Sequence, residues 1–343
     1  MDVLVVALRS KSDAGILAAS GDPLSVTVAC ATIASRIEEA ARRLGWRLVY
    51  VDTLGEAAAA AERHSPRVLV LLDTLSLYTS HEEAFRLAYE SYASSPAEPL
   101  VLVTRPYVER GVRLRVDGST VGGVGEGSDS FAGMVVGDPR RLTPLLRGSA
   151  TLSELLSRLV GAAAVYWPEP WLRLEKPHDA LLYSMLLLSR LSEQRISPRA
   201  RVSPTAVIEG PAVVEEGVAI DHYAVVKGPV VLCRGSFVGM HAAVRSFTDV
   251  EEGARIGSYS ETFVALLERR ATLSSHTYVT GSVVGEEAKV EPFVVTKVAY
   301  GRDAAEILGI VAPFTPETRV GAAVAAGRRV PAGTVVEPAA LIR

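Results

Sequence analysis

The sequence predicts two domains of different class: an α/β domain over residues 1–195, then an all-β parallel β-helix over residues 196–343. Apolar strand-like runs alternate with amphipathic helical stretches up to about residue 195, the pattern of an α/β sandwich with a largely parallel sheet. From Ile196 the texture changes, and aliphatic residues recur at every sixth position: Ile196, Val202, Ile208, Val214, Ile220, Val226, Leu232, Val238, Val244, Val250 and Ile256. Helices repeat at 3.6 and strands at 2, so a strict six demands a short strand, a turn and a restart, three such hexads making one triangular coil. The 343 residues, 48% hydrophobic, suffice for two cores with little room for disorder.

In the first domain, strand Asp2–Leu8 leads to a helix over Thr27–Leu44 ending at Gly45, which accepts φ > 0 cheaply. Strand Arg47–Asp52 and an alanine-rich helix Ala57–Arg63 follow. The run Arg67–Asp73 is almost wholly apolar until its acidic end, as in a strand buried on both faces. Helix His81–Ser94, strand Leu100–Thr104 and a hairpin pair near Val112–Val116 and Ser130–Val136 come next. The glycine-rich stretch Val121–Ser130 lies between two strands and opens no helix, so it reads as a hairpin loop. Helices near Leu142–Leu146 and Leu152–Leu159, strand Ala163–Trp167 and helix Pro177–Leu191 close the domain. Trp167 and Trp171 either seal the sheet edge or the domain junction, or form a stacking platform for a sugar or base.

In the second domain the aliphatic residues point to the axis, while Gly210, Gly217, Gly228, Gly235 and Gly253 take the corners. The register falters between Thr262 and Thr277 and returns at Tyr278, Val284, Val290 and Thr296, then at Val324, Val330, Val336 and Ile342. Such faltering implies a loop leaving the coil. His222 and His241 fall off the axis, on the surface or at a subunit contact.

Composition excludes some classes of function. The formal charge of -3, from 36 basic and 39 acidic side chains without a basic block, argues against nucleic acid. No stretch reaches the roughly 18–20 apolar residues of a membrane helix, and the first residues read as a strand rather than a leader. Cys30 and Cys233 are too few and too distant in sequence to suggest a disulfide framework or zinc site, which fits a reducing cytoplasm.

Three segments carry a family resemblance: Val207–Ile220 (VIEGPAVVEEGVAI), Ser275–Val290 (SHTYVTGSVVGEEAKV) and Trp171–Leu182 (WLRLEKPHDALL). The chain resembles sugar-1-phosphate nucleotidylyltransferases with a C-terminal left-handed β-helix of hexapeptide repeats. It is most similar to the archaeal bifunctional type that joins glucosamine-1-phosphate acetyltransferase to N-acetylglucosamine-1-phosphate uridylyltransferase. The resemblance implies a Rossmann-like nucleotidyltransferase sandwich, transferase chemistry on sugar phosphates or nucleotide sugars, Mg²⁺ and acetyl-CoA as cofactors, and a side-by-side homotrimer.

Several positions depart from the family pattern. A nucleotidylyltransferase needs a glycine-rich loop after the first strand, whose N–H groups cradle the triphosphate. Here Ala7–Ser25 holds only Gly15 and Gly21 and lacks the family's compact loop. Asp73 fits the first metal-binding acid, or else caps a turn at its strand end. At the second acid stands Arg173, whose guanidinium cannot coordinate Mg²⁺ and either pairs with Asp73 or meets a phosphate.

For the acyl-transfer site, the resemblance makes Arg245 a phosphate-binding residue and Tyr278 a substrate contact. His276 is the candidate general base, standing one place beyond the family position, which Ser275 occupies. A one-residue shift on a strand reverses the side chain. A family lysine is replaced by Phe263 and an asparagine by Val298. Two expectations follow: an enzyme with drifted sites, or a non-catalytic sugar-nucleotide sensor or regulatory subunit of an active, paralogous catalytic subunit.

Overall fold

A computed structural model of the chain describes residues 2–96, 98–311 and 318–343. The residues gather into two compact units that interleave along the sequence: Met1–Lys11 with Ala34–Arg173, and Ser12–Ile33 with Leu174–Arg343. The division expected at 195/196 thus lies inside the second unit.

The first unit is an α/β assembly around an eight-stranded sheet. In spatial order its strands are Arg47–Val51, Val3–Leu8, Val68–Asp73, Asp129–Gly137, Leu100–Thr104, Ala163–Tyr166, Thr120–Val124 and Arg113–Asp117. The first three are parallel, as are Leu100–Thr104 and Ala163–Tyr166. The sheet is mixed rather than largely parallel, because Asp129–Gly137 runs antiparallel to both neighbours at its centre. Short connections reverse the chain within residues 113–137, where Arg113–Asp117 pairs antiparallel with both Thr120–Val124 and Asp129–Gly137. The glycine-rich stretch is therefore strand up to Val124, and the tight turn falls at Gly125 and Gly127, with φ of 84° and 94°.

Leu4, Val6, Leu69, Leu71, Val101, Val103 and Val135 belong to one buried cluster. Helices Leu54–His64, His81–Ser94 and Leu152–Arg158 are capped by Thr53, Ser80 and Thr151, whose hydroxyls accept the N–H of the third helical residue.

The second unit is built on a stack of short parallel strands, the arrangement of a parallel β-helix. Val207, Val225, Ala243, Glu261 and Tyr278 pair in successive layers along one side. Val214, Ile220, Val226, Leu232, Val238, Val244, Val250 and Ile256 lie in one core cluster at 2% exposure or less, which places these sequence-marked aliphatics at the axis. Gly217, Gly235 and Gly253 turn one corner with φ between 67° and 74°.

The expected loop within Thr262–Thr277 is absent. Two seven-residue strands, Glu261–Leu267 and Tyr278–Val284, pair with each other through this region. The layer partners Leu232 and Val250 lie 18 residues apart, whereas Val250, Leu267 and Val284 follow at 17. Each of these coils has lost one corner residue, which shifts the six-residue phase without ejecting any chain. The later break does leave the stack, as helix Gly301–Leu308.

Residues 12–33 and helix Pro177–Leu188 pack on the outside of this stack within the same unit. The helix expected from Thr27 begins only at Ile33; Thr27–Val28 and Ala31–Thr32 form a small hairpin. Helix formation loses there because the N–H groups of Thr27, Ala29 and Cys30 are bound by Glu268, Asp249 and Glu251. No described helix is long and apolar enough to cross a membrane.

Candidate functional site

In the first unit, Asp73 ends a central strand and is 1% exposed. The three-residue strand Trp171–Arg173 pairs antiparallel with Ser76–Tyr78, and this aligns Arg173 opposite Ser76. Arg173 Nε then donates to Asp73 Oδ2 at 2.9 Å. Ser10 Oγ and the Leu75 N–H each reach Asp73 Oδ1 at 3.3 Å. Of the two partners the sequence left open for Arg173, this geometry realises the carboxylate. Mg²⁺ demands several oxygen ligands in octahedral geometry, and a guanidinium bonded to the one acid does not fit that ion.

The segment after the first strand belongs to the second unit, and distant carboxylates occupy its N–H groups. Ala19 N–H donates to Glu286 at 2.8 Å, Thr27 N–H to Glu268 at 3.0 Å, Ala29 N–H to Asp249 at 2.8 Å and Cys30 N–H to Glu251 at 3.0 Å. Asp249, Glu251 and Glu268 are each at most 1% exposed. Burial raises the Glu268 carboxyl to about 8, opposed by its hydrogen bonds to Thr27. A segment whose amides already hold four acidic side chains is not arranged to hold a triphosphate.

Cys30 and Cys233 are disulfide-bonded across this contact, with Cα atoms 5.4 Å apart. This corrects the reading of the two cysteines as unsuited to a disulfide: folding brings together residues 203 apart in sequence. Cysteine usage therefore lends no support to a reducing compartment.

The acyl-transfer candidates lie on the stack. Arg245 Nη1 donates to Glu261 Oε1 at 2.5 Å, and its guanidinium sits 4.7 Å from the centre of the Phe263 ring. Arg319 lies 4.0 Å from the same ring and 5.3 Å from that of Tyr300. Tyr278 follows Glu261 in the next layer, 37% exposed. Arg245 and Tyr278 thus border one acidic residue, Glu261.

His276 is placed differently. It turns a corner at φ 58°, exposed, with its ring stacked between Tyr259 and Phe293 at 5.1 Å from each. The column continues through His241 to Tyr223, giving five stacked rings. His241 is therefore part of this ladder, and His222 flanks its end beside Tyr223. The ladder was readable in the sequence as aromatic and histidine residues recurring at one coil length, but the six-residue reading followed only aliphatics.

Trp171 is 1% and Trp167 4% exposed, and Trp167 packs edge-on against Tyr78. They seal the structure rather than offer a platform. The sequence matches no protein-family model, and no curated protein matches it.

Proposed function

We propose that this chain is a non-catalytic relative of the sugar-1-phosphate nucleotidylyltransferases with a left-handed hexapeptide β-helix, serving as a sugar-nucleotide-responsive regulatory subunit of an active paralogue. The Asp73–Arg173 ion pair carries this reading, since it puts a cation where metal-assisted phosphoryl transfer needs an anion. The carboxylate-held segment over residues 19–30 supports it, because amides engaged in this way are withheld from phosphate. The position of His276 inside a ring stack supports it too: a general base must reach the proton it removes.

An exposed column on the stack, with Val207, Tyr278, Val295 and Val335 and the ion-paired Glu261 among them, is consistent with side-by-side association into a homotrimer. The test is a paired assay on the purified chain. Sugar-1-phosphates with each nucleoside triphosphate and Mg²⁺, or with acetyl-CoA, should give no turnover. Nucleotide sugars should raise its melting temperature, and it should co-purify with a catalytic paralogue and change that enzyme's rate. Turnover with any substrate pair would overturn the reading.

A further inference from the structure

Around the disulfide, metal-binding atom types converge from separate parts of the second unit. Cys30, Glu215 and Cys233 present ligand atoms within 4.8 Å of one another, as do Cys233, Asp249 and Glu251. Glu215, Cys233 and Glu251 each follow a layer-paired strand residue (Val214, Leu232, Val250), so they stack in one column with Cys233 in the middle. Cys30 reaches that column from the hairpin corner, where it adopts φ 64°. Glu215 is already oriented, accepting from Arg234 N–H at 2.9 Å, and Glu251 holds the Cys30 N–H at 3.0 Å from the next layer but one. Such an outer hydrogen bond pre-sets the Glu215 carboxylate for a metal.

We propose that reduction of Cys30–Cys233 opens a site for a thiophilic divalent cation of the zinc type, ligated by both sulfurs and Glu215, with a solvent molecule in the fourth position and Glu251 holding the Cys30 backbone behind it. The inference is independent of the functional reading above. A dithiol reductant supplies two electrons and two protons, its own thiols becoming a disulfide while the protein's S–S bond becomes two S–H groups. The cation then binds both sulfurs as thiolates, and the two thiol protons pass to solvent. Two sulfurs on a tetrahedral ion with bonds of about 2.3 Å stand about 3.8 Å apart, so opening the S–S bond requires only a small displacement. Cys30, on a hairpin corner, can make it while Cys233 stays in the stack. Two thiolates select zinc-like ions over Mg²⁺ or Ca²⁺. Cys233 and Glu251 are each 1% exposed, while Cys30 and Glu215 are half-buried, giving the ion a dry inner side and an entry side.

The test compares oxidised and dithiol-reduced, desalted full-length chain under anaerobic titration with Cd²⁺ and Zn²⁺. The expected result is one equivalent bound per reduced chain, with thiolate-to-cadmium charge-transfer absorption, and none bound by the oxidised chain. Glu215→Gln should weaken binding at least tenfold with unchanged circular dichroism, and Cys30→Ser should remove the charge-transfer band. The proposal is overturned if the reduced chain binds no metal, if the oxidised chain binds it equally, or if Glu215→Gln binds as tightly as the parent. The redox comparison uses the unmodified chain, so a variant that fails to fold leaves the proposal open to refutation.

Discussion

Replacing Arg173 by methionine removes the guanidinium from a carboxylate that is 1% exposed, while Arg173's own side chain is 17% exposed. Breaking one side of a buried ion pair costs about 3–5 kcal/mol, because the remaining charge stays desolvated. Asp73 keeps the Ser10 hydroxyl and Leu75 N–H, both at a long 3.3 Å, and Arg173 has some solvent access, so the low end applies, about 3 kcal/mol. Removing both charges is a different matter. Asp73→Asn with Arg173→Met leaves no buried ion, and such replacements run from neutral to stabilising, so the double variant should lie within about 1 kcal/mol of the parent. The three tryptophans, Trp46, Trp167 and Trp171, all lie in the first unit, so fluorescence-detected urea unfolding at pH 7 reports that unit selectively. A loss below about 1 kcal/mol in Arg173→Met, or a double variant as unstable as the single one, would refute the assignment of this pair as a buried, mutually dependent contact.

Glu268 should make the second unit lose stability with rising pH. Its carboxyl keeps a proton to about 8 when folded but ionises near 4.5 when unfolded, so its contribution is full below 4.5 and lost as pH climbs to 8. His178, lowered by burial to about 4, acts oppositely and only below 6.5, so the two nearly cancel from 4.5 to 6.5 and the decline emerges between 6.5 and 8. Melting curves across this range should show that decline in the parent and its near absence in Glu268→Gln; an unchanged profile in the variant would contradict the assignment. Cys30→Ser should destabilise the second unit by up to about 5 kcal/mol on the chain-entropy estimate for so long a loop, read by calorimetry against the oxidised parent. Gly257→Ala should cost about 3 kcal/mol, because its new Cβ would fall 2.5 Å from the backbone of Ser274 and Ser275 in the next layer, where hydrogen bonding fixes the spacing. Its denaturation midpoint against the parent checks this.

What was legible in the sequence is what local period encodes. The six-residue aliphatics at Val214–Ile256 occupy the axis, and strand Leu100–Thr104 and helix His81–Ser94 fall where they were expected. What was not legible depends on partners distant in sequence. The Thr27–Thr32 hairpin follows from carboxylates more than 200 residues away, which no local pattern at Thr27 records. The Trp171–Arg173 strand is too short to show a period, yet it sets the Asp73 contact. The coils shortened by one residue looked like an excursion because phase alone cannot tell a deletion from an inserted loop. At the candidate site the sequence narrowed Arg173 to two partners, and geometry selected one. His276 was singled out for its chemistry, but its environment is set by rings one coil away.

The interleaved route of the chain limits how the protein can be subdivided. A fragment starting at residue 196 would carry Asp249, Glu251 and Glu268 but not the amides of Thr27, Ala29 and Cys30 that these acids hold. It would also carry a lone Cys233 and lack the helix Pro177–Leu188, whose Ser184 donates to Asp249. No single cut in the sequence liberates an intact stack. In a gene fusion or a circular permutation, residues 12–33 would have to travel with the C-terminal half for the stack to keep these contacts.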